Sequence, residues 1–152
     1  MGLPIYITVA IIVAAAVIAV LSISIYGILA DSQLYQVEHE MDKIASEAEN
    51  MFEYADGGTM ITVHIEFPAS MKFVVFGGLP TNGSSEPDNL TLDEKTSNNY
   101  YLVMVDGTVQ TYHSNVRFSS EDYNKIAIFT SGIYDLTLEL EKIDSRTYVK
   151  IY

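Results

Sequence analysis

The chain has 152 residues, with 20 acidic side chains against 8 basic ones and a formal net charge of -12 at pH 7. Such a surface repels nucleic acid and anionic lipid headgroups, so we expect neither as a partner. No cysteine occurs, which excludes disulfides, thiolate catalysis, zinc–thiolate sites and covalent c-type haem.

The first predicted element is a hydrophobic helix over residues 1–30. No charged side chain occurs between Gly2 and Ala30, and as a helix the part from Pro4 onward is about 40 Å long. A bilayer requires only about 20 apolar residues, whereas the apolar run of a cleaved secretory signal has about 7–15. We therefore expect a retained, membrane-length helix.

No basic residue flanks this helix on its amino side, and the first Lys or Arg of the chain is Lys43. Basic flanks normally set the orientation of a membrane span. Either the α-amino group alone supplies the cue, or a short basic leader has been removed before Met1. We favour the second explanation.

Residues 31–58 are predicted to continue the same helix in amphipathic form. Nothing between Pro4 and Asp56 forces a break, so Gly2 to about Asp56 is expected to be one helix. Apolar residues recur at helical spacing along one narrow stripe, which includes Leu34, Val37, Met41, Ile44 and Met51. The stripe is either the seam of a coiled coil or a surface that packs on the following domain, and we favour packing on that domain.

Residues 59–152 are predicted to form a β-sheet head. From Met60 onward the apolar residues alternate with a period of two, which is typical of strands. The predicted strands are MITVHIEF and MKFVVF, the two strands of the hairpin YYLVMVDGTVQTYH, a short strand in VRFS, and KIAIFT, YDLTLELE and RTYVKIY. Asp106-Gly107 predicts a two-residue hairpin turn. The fold class is therefore α+β, a long N-terminal hydrophobic helix followed by an antiparallel, immunoglobulin-like β-sandwich.

A polar segment over residues 77–99 interrupts the strands and is predicted to be a long surface loop. It contains two N-x-S/T sequences, at Asn82 and Asn89. In a head exported across a membrane, either asparagine is a possible N-glycosylation site.

Catalytic and cofactor motifs are not found in the sequence. His39, His64 and His113 lack metal-ligand spacing, and no phosphate-binding loop or nucleophile motif occurs. An acidic cluster in the loop offers oxygen ligands for Ca²⁺ and consists of Glu86, Asp88, Asn89, Asp93 and Glu94. Its spacing matches no calcium loop, so we interpret it as a solvated surface. We expect no enzyme activity, no cofactor and no metal site.

The order of these elements resembles that of the archaeal type IV pilin-like filament proteins, a superfamily of pilins and archaellins. The resemblance rests on an uncharged helix at the start, "MGLPIYITVAII", its amphipathic continuation, and a cysteine-free β-head ending in "SGIYDLTLELE…RTYVKIY". It implies a precursor whose basic leader is removed. Bacterial type IV pilins carry Glu at the fifth mature position, where this chain has Ile5, which favours the archaeal branch.

The resemblance gives the small residues of the first helix a role. A helix that moves from lipid into a filament core exchanges one apolar medium for another, so close packing must drive association. The candidate packing sites are Ala10, Ala14, Ala15, Ala16, Ala19 and Gly27. The alternative is that alanine is simply common in membrane helices.

Three functions remain open. The first is a structural subunit of an extracellular, type IV pilus-like filament for adhesion or surface contact, inserted in the membrane before it assembles with identical copies. The second is an archaellin, the motility version of that design. The third is a single-pass, membrane-anchored β-sandwich binding module, such as a stator component. We rank them in this order.

Overall fold

The computed structural model describes residues 3–81, 87, 90–143 and 145–152. One helix, α1 (Leu3–Tyr54), is followed by eight strands within these residues. The strands are β1 (Met60–Phe67), β2 (Met71–Phe76), β3 (Asn99–Met104), β4 (Val109–His113), β5 (Arg117–Ser119), β6 (Ala127–Thr130), β7 (Gly132–Ile143) and β8 (Arg146–Ile151). The predicted α+β class is confirmed.

Helix α1 is continuous from Leu3 to Tyr54, so it ends two residues before the predicted end at Asp56. Gly27 lies within it and does not interrupt it. The chain divides into two compact units, residues 1–35 and residues 36–152. The second part of α1 therefore belongs to the same unit as all eight strands.

The strands form two four-stranded sheets. Sheet I has the order β1-β7-β8-β5, and sheet II has the order β4-β3-β2-β6. The predicted antiparallel arrangement has one exception, because β5 pairs with β8 in parallel, with Phe118 opposite Val149. Two strands that are far apart in sequence make this pair, and no local pattern indicates its direction.

The core of the head is formed by alternate residues of each strand. In β7, Leu136, Leu138 and Leu140 are buried while the residues between them are partly exposed, as the period of two predicts. Phe118 of sheet I meets the rings of Phe76 and Tyr100 of sheet II edge to face, at centroid distances of 5.3 and 5.8 Å. Aromatic contacts of this kind hold the two sheets together.

The β3–β4 hairpin differs from the predicted two-residue turn. The amide of Met104 donates to the Thr108 carbonyl oxygen at 2.9 Å, and the amide of Gly107 donates to the Met104 carbonyl oxygen at 3.0 Å. Three residues therefore form the loop, and Gly107 adopts a φ of 91°. This is the three-residue hairpin in which a type I turn precedes a left-handed glycine.

Candidate assembly and docking surfaces

The apolar stripe of α1 is buried where the helix belongs to the head. Val37, Met41, Ile44 and Met51 are between 0 and 4% exposed. Ala45 and Ala48 are buried beside them. Leu34, the remaining residue of the predicted set, is partly buried and lies in the unit formed by residues 1–35.

On one side of the stripe, helix side chains bind the backbone of β1. The ammonium group of Lys43 donates to the carbonyl oxygen of His64, and the amide of Glu66 donates to Oε2 of Glu40 at 3.3 Å. β1 is the edge strand of sheet I. The helix thus satisfies backbone groups that an uncovered edge would offer to another chain.

On the other side of the stripe, two helix carboxylates bind residues of β4 and the segment after it. The Tyr112 hydroxyl donates to Glu38, and the Ser114 hydroxyl donates to Oε1 of Glu49 at 2.7 Å. The amide of Asn115 donates to the same oxygen at 3.3 Å. β4 is the edge strand of sheet II, so the helix binds the edges of both sheets.

Carboxylates of α1 lie near a row of stacked aromatic rings in sheet II and raise the pKa of two tyrosines in it. Tyr100 stacks on Phe76 and on Tyr112, with ring centroids 5.4 and 5.3 Å apart. Burial, with the nearby carboxylates of Asp42 and Glu49, raises the pKa of Tyr100 to about 12. Burial and the hydrogen bond to Glu38 also raise the pKa of Tyr112. Both hydroxyls therefore stay neutral well above the ordinary tyrosine range.

The helical period predicts the stripe but not the roles of the polar residues along its borders. At about 100° per residue, Glu38 and Glu49 fall on one border of the stripe, and Glu40 and Lys43 fall on the other. A polar residue beside a buried stripe can reach an edge strand. The position of these four residues beside the stripe was the feature of the sequence that could have indicated their contacts. It does not indicate which strand is reached.

The unit formed by residues 1–35 presents a different surface. Residues 4–33 of the helix are exposed along their whole length. In length and composition, α1 from Pro4 qualifies as a helix that could cross a membrane. Three of its hydroxyl groups are satisfied internally, because Thr8, Ser22 and Ser24 each donate to the carbonyl oxygen four residues earlier, at 2.8, 2.8 and 3.1 Å. These side chains can therefore enter an apolar medium without losing hydrogen bonds.

The small residues of this helix lie on three faces rather than one. On a helix of 3.6 residues per turn, Ala10 and Ala14 share one face, Ala15 and Ala19 share a second, and Ala16 and Gly27 share a third. Neighbouring faces are at least about 90° apart. The arrangement offers close approach to more than one neighbour.

A shallow apolar depression lies beside the third face and includes Ala16. It is lined by Val13, Ala16, Val17, Val20 and Leu21. The first four occupy positions i, i+3, i+4 and i+7, which are the corners of the hole that receives a side chain in knobs-into-holes packing. The small side chain of Ala16 leaves this hole open.

The histidines lie apart from one another. Nδ1 of His64 is 2.7 Å from Oδ1 of Asp135, His113 lies beside Asn98 and Asn99, and His39 is on the exposed side of α1. In the part of the chain that the structure describes, no group of three or more acidic or histidine side chains is placed to hold a metal ion.

The two possible glycosylation sites, Asn82 and Asn89, lie outside the described residues, as do Glu86 and Asp88 of the acidic cluster. Backbone hydrogen bonds and an ion pair connect the described part of the loop to the head. The amide of Leu92 donates to the carbonyl oxygen of Asn124 at 2.7 Å, and Glu94 forms an ion pair with Arg146.

Comparisons with protein families, with characterised proteins and with solved structures gave no significant match to this chain.

Proposed function

We propose that the chain is the structural subunit of an extracellular, type IV pilus-like filament that polymerises through residues 1–30 and serves adhesion or surface contact. Before assembly, the same residues hold the subunit in the membrane. The order of the elements supports the proposal, since α1 begins with an uncharged segment and precedes a two-sheet head.

The observation that carries the proposal is the distribution of small residues over three faces of an exposed helix. A helix that only anchors a protein in lipid needs no particular packing surface, and a helix that pairs once needs a single face. A subunit in a filament core is surrounded by neighbours and needs several. Since the lipid and the filament core are both apolar environments, close contact at these residues supplies the driving force for association.

The buried stripe in the C-terminal part of α1 also supports the proposal. Residues 36–54 are part of the core of their own head, through Val37, Met41 and Ile44. The stripe is therefore not available as a coiled-coil seam. The exposed apolar residues of α1 that precede residue 36 are available for contacts between subunits.

The test replaces one small residue on each face, in the single variants Ala14→Leu, Ala16→Leu and Ala19→Leu. Overpacking of a close contact typically costs about 1–3 kcal/mol, and in a filament the cost recurs at every subunit. We expect each variant to reduce the fibres sheared from cells while the membrane-held protein is unchanged. Ile12→Leu, which conserves volume at an exposed position, is the matched control and should leave the fibre yield unchanged.

The outcome also separates the alternatives. Loss of fibres in only one of the three variants would mean that the helix meets a single neighbour, which contradicts a filament core. Fibres in none of the strains, wild type included, with all of the protein in the membrane fraction, would replace the filament with the anchored binding module. Fibres that rotate and propel the cell would identify an archaellin.

A further inference from the structure

We infer that Tyr6 and Tyr26 set the depth of the chain in a lipid bilayer, with one ring at each membrane–water interface. The inference rests on the proposed membrane-inserted precursor and adds to it a defined position along the helix.

The first observation is the spacing of the two tyrosines. Both rings are exposed, Tyr6 by 77% and Tyr26 by 75%, and both lie within the continuous helix α1. They are about 20 residues apart, which corresponds to about 30 Å along the helix axis. The hydrocarbon core of a typical bilayer is also about 30 Å thick.

The second observation is the chemistry of the rings and of the segment between them. Tyrosine combines an apolar ring with a polar hydroxyl and is enriched at the headgroup level of membranes. Between Tyr6 and Tyr26 no ionisable side chain occurs, and the hydroxyls of Thr8, Ser22 and Ser24 donate within the helix. The segment is thus uncharged and internally satisfied, which complements an uncharged hydrocarbon layer.

The first charged side chain distinguishes this depth from others. With Tyr26 at one interface, Asp31 lies about 7.5 Å further along the axis, among headgroups or in water. A shift of the helix that brings Asp31 into the hydrocarbon is opposed, because an aspartate there is among the most costly residues of a span. In the proposed position the midpoint of the span is Ala16, so the hole between Val13, Val17 and Val20 lies at the bilayer midplane.

The chain contains no tryptophan, so a single introduced tryptophan reports on its own position. We suggest the full-length variants Tyr6→Trp, Tyr26→Trp and Val17→Trp, reconstituted into phosphatidylcholine vesicles whose acyl chains carry bromine at known depths. The indoles at positions 6 and 26 should lie about 15 Å from the midplane and be quenched more by shallow than by deep bromines. The indole at position 17 should show the reverse order.

Tyr123→Trp, on an exposed position of the head, is the control and should be quenched by iodide in the buffer but by no brominated lipid. The inference is overturned if position 6 or position 26 is quenched most by the deep bromines, or if position 17 is as shallow as the other two. If brominated lipid quenches none of the three positions in the helix, the membrane-inserted precursor fails as well. The filament proposal is judged separately, by the fibre yields.

Discussion

Ile44 lies at the centre of the buried stripe and has no exposed surface. Its replacement by Asp places a carboxylate in an apolar contact between α1 and the head, and burying this charge among apolar side chains is costly. We expect Ile44→Asp to lower the free energy of unfolding by about 3–5 kcal/mol. The measurement is urea unfolding of the full-length chain in detergent, followed by tyrosine fluorescence.

Ser46→Asp is the matched control, because Ser46 is exposed and only two residues away on the same helix. It should change the free energy of unfolding by less than about 0.5 kcal/mol. Equal stability of the two variants would contradict the packing of the stripe on the head.

Tyr100 predicts how stability depends on alkaline pH. In an unfolded chain a tyrosine titrates near pH 10, whereas burial and nearby carboxylates raise the pKa of Tyr100 to about 12 in the folded protein. Between these values the unfolded state has lost the proton and the folded state retains it. The stabilising contribution is therefore complete below about pH 10 and is lost as the pH rises to about 12.

We expect Tyr100 to account for a loss of up to about 2 kcal/mol over that range, after allowance for partial screening by solvent. In the variant Tyr100→Phe the free energy of unfolding should fall less steeply between pH 10 and pH 12 than in the wild type. Tyr123→Phe, at an exposed position, should follow the wild type. If the free energy of unfolding of Tyr100→Phe falls with pH as steeply as that of the wild type, the pKa of Tyr100 is not raised in the folded protein.

At the scale of elements, two glycines with positive φ have different surroundings. Gly107 in the β3–β4 loop has nothing within 4 Å of the position that a Cβ would occupy, whereas at Gly77 the carbonyl oxygen of Phe118 is 2.7 Å from it. The φ angles are 91° and 93°, so both substitutions by Ala are strained. We expect Gly107→Ala to cost about 1 kcal/mol and Gly77→Ala to cost about 2–4 kcal/mol, in the same urea measurement. Equal costs would mean that the backbone near Phe118 yields easily.

The elements that the sequence predicted well are those with a strong local pattern. β1 and β2 begin and end at the predicted residues, because alternation and the intervening Pro68 mark their limits. Helix α1 was predicted to within about two residues at its end, since no proline interrupts it. The Asp106-Gly107 pair indicated a hairpin correctly, but the loop length depends on the pairing of Met104 with Thr108, which dipeptide preferences do not determine.

Contacts between distant segments were not predictable in the same way. The parallel pairing of β5 with β8 and the hydrogen bond from Ser114 to Glu49 depend on how the strands are arranged in space. The stripe around Ile44 could be predicted because its helical period is independent of its partner. The small residues around Ala16 could be located for the same reason, but a single chain does not specify what packs against them.

At the scale of the whole molecule, the net charge of -12 opposes the proposed assembly. Subunits in a filament bring acidic heads close together, and the repulsion extends over a Debye length of about 30 Å at 0.01 M salt but only about 8 Å at 0.15 M. We expect the fraction of protein that sediments as fibres to rise when salt is increased between these concentrations. Sucrose at equal osmolarity is the control and should have no such effect. Fewer fibres at higher salt would show that attractive ion pairs between subunits dominate.

The position of α1 between the edges of the two sheets has a mechanical consequence. Glu40 lies beside Glu66 and Lys43 lies beside His64, so the helix and β1 run side by side in opposite directions. Tension along the helix therefore acts parallel to the contact. It loads all contacts of the stripe from Val37 to Met51, which is about 21 Å long, at the same time. A shear geometry requires these contacts to break together, whereas a peeling geometry would break them one at a time. A head that is loaded in shear should remain folded under forces that would break the same contacts in a peeling geometry.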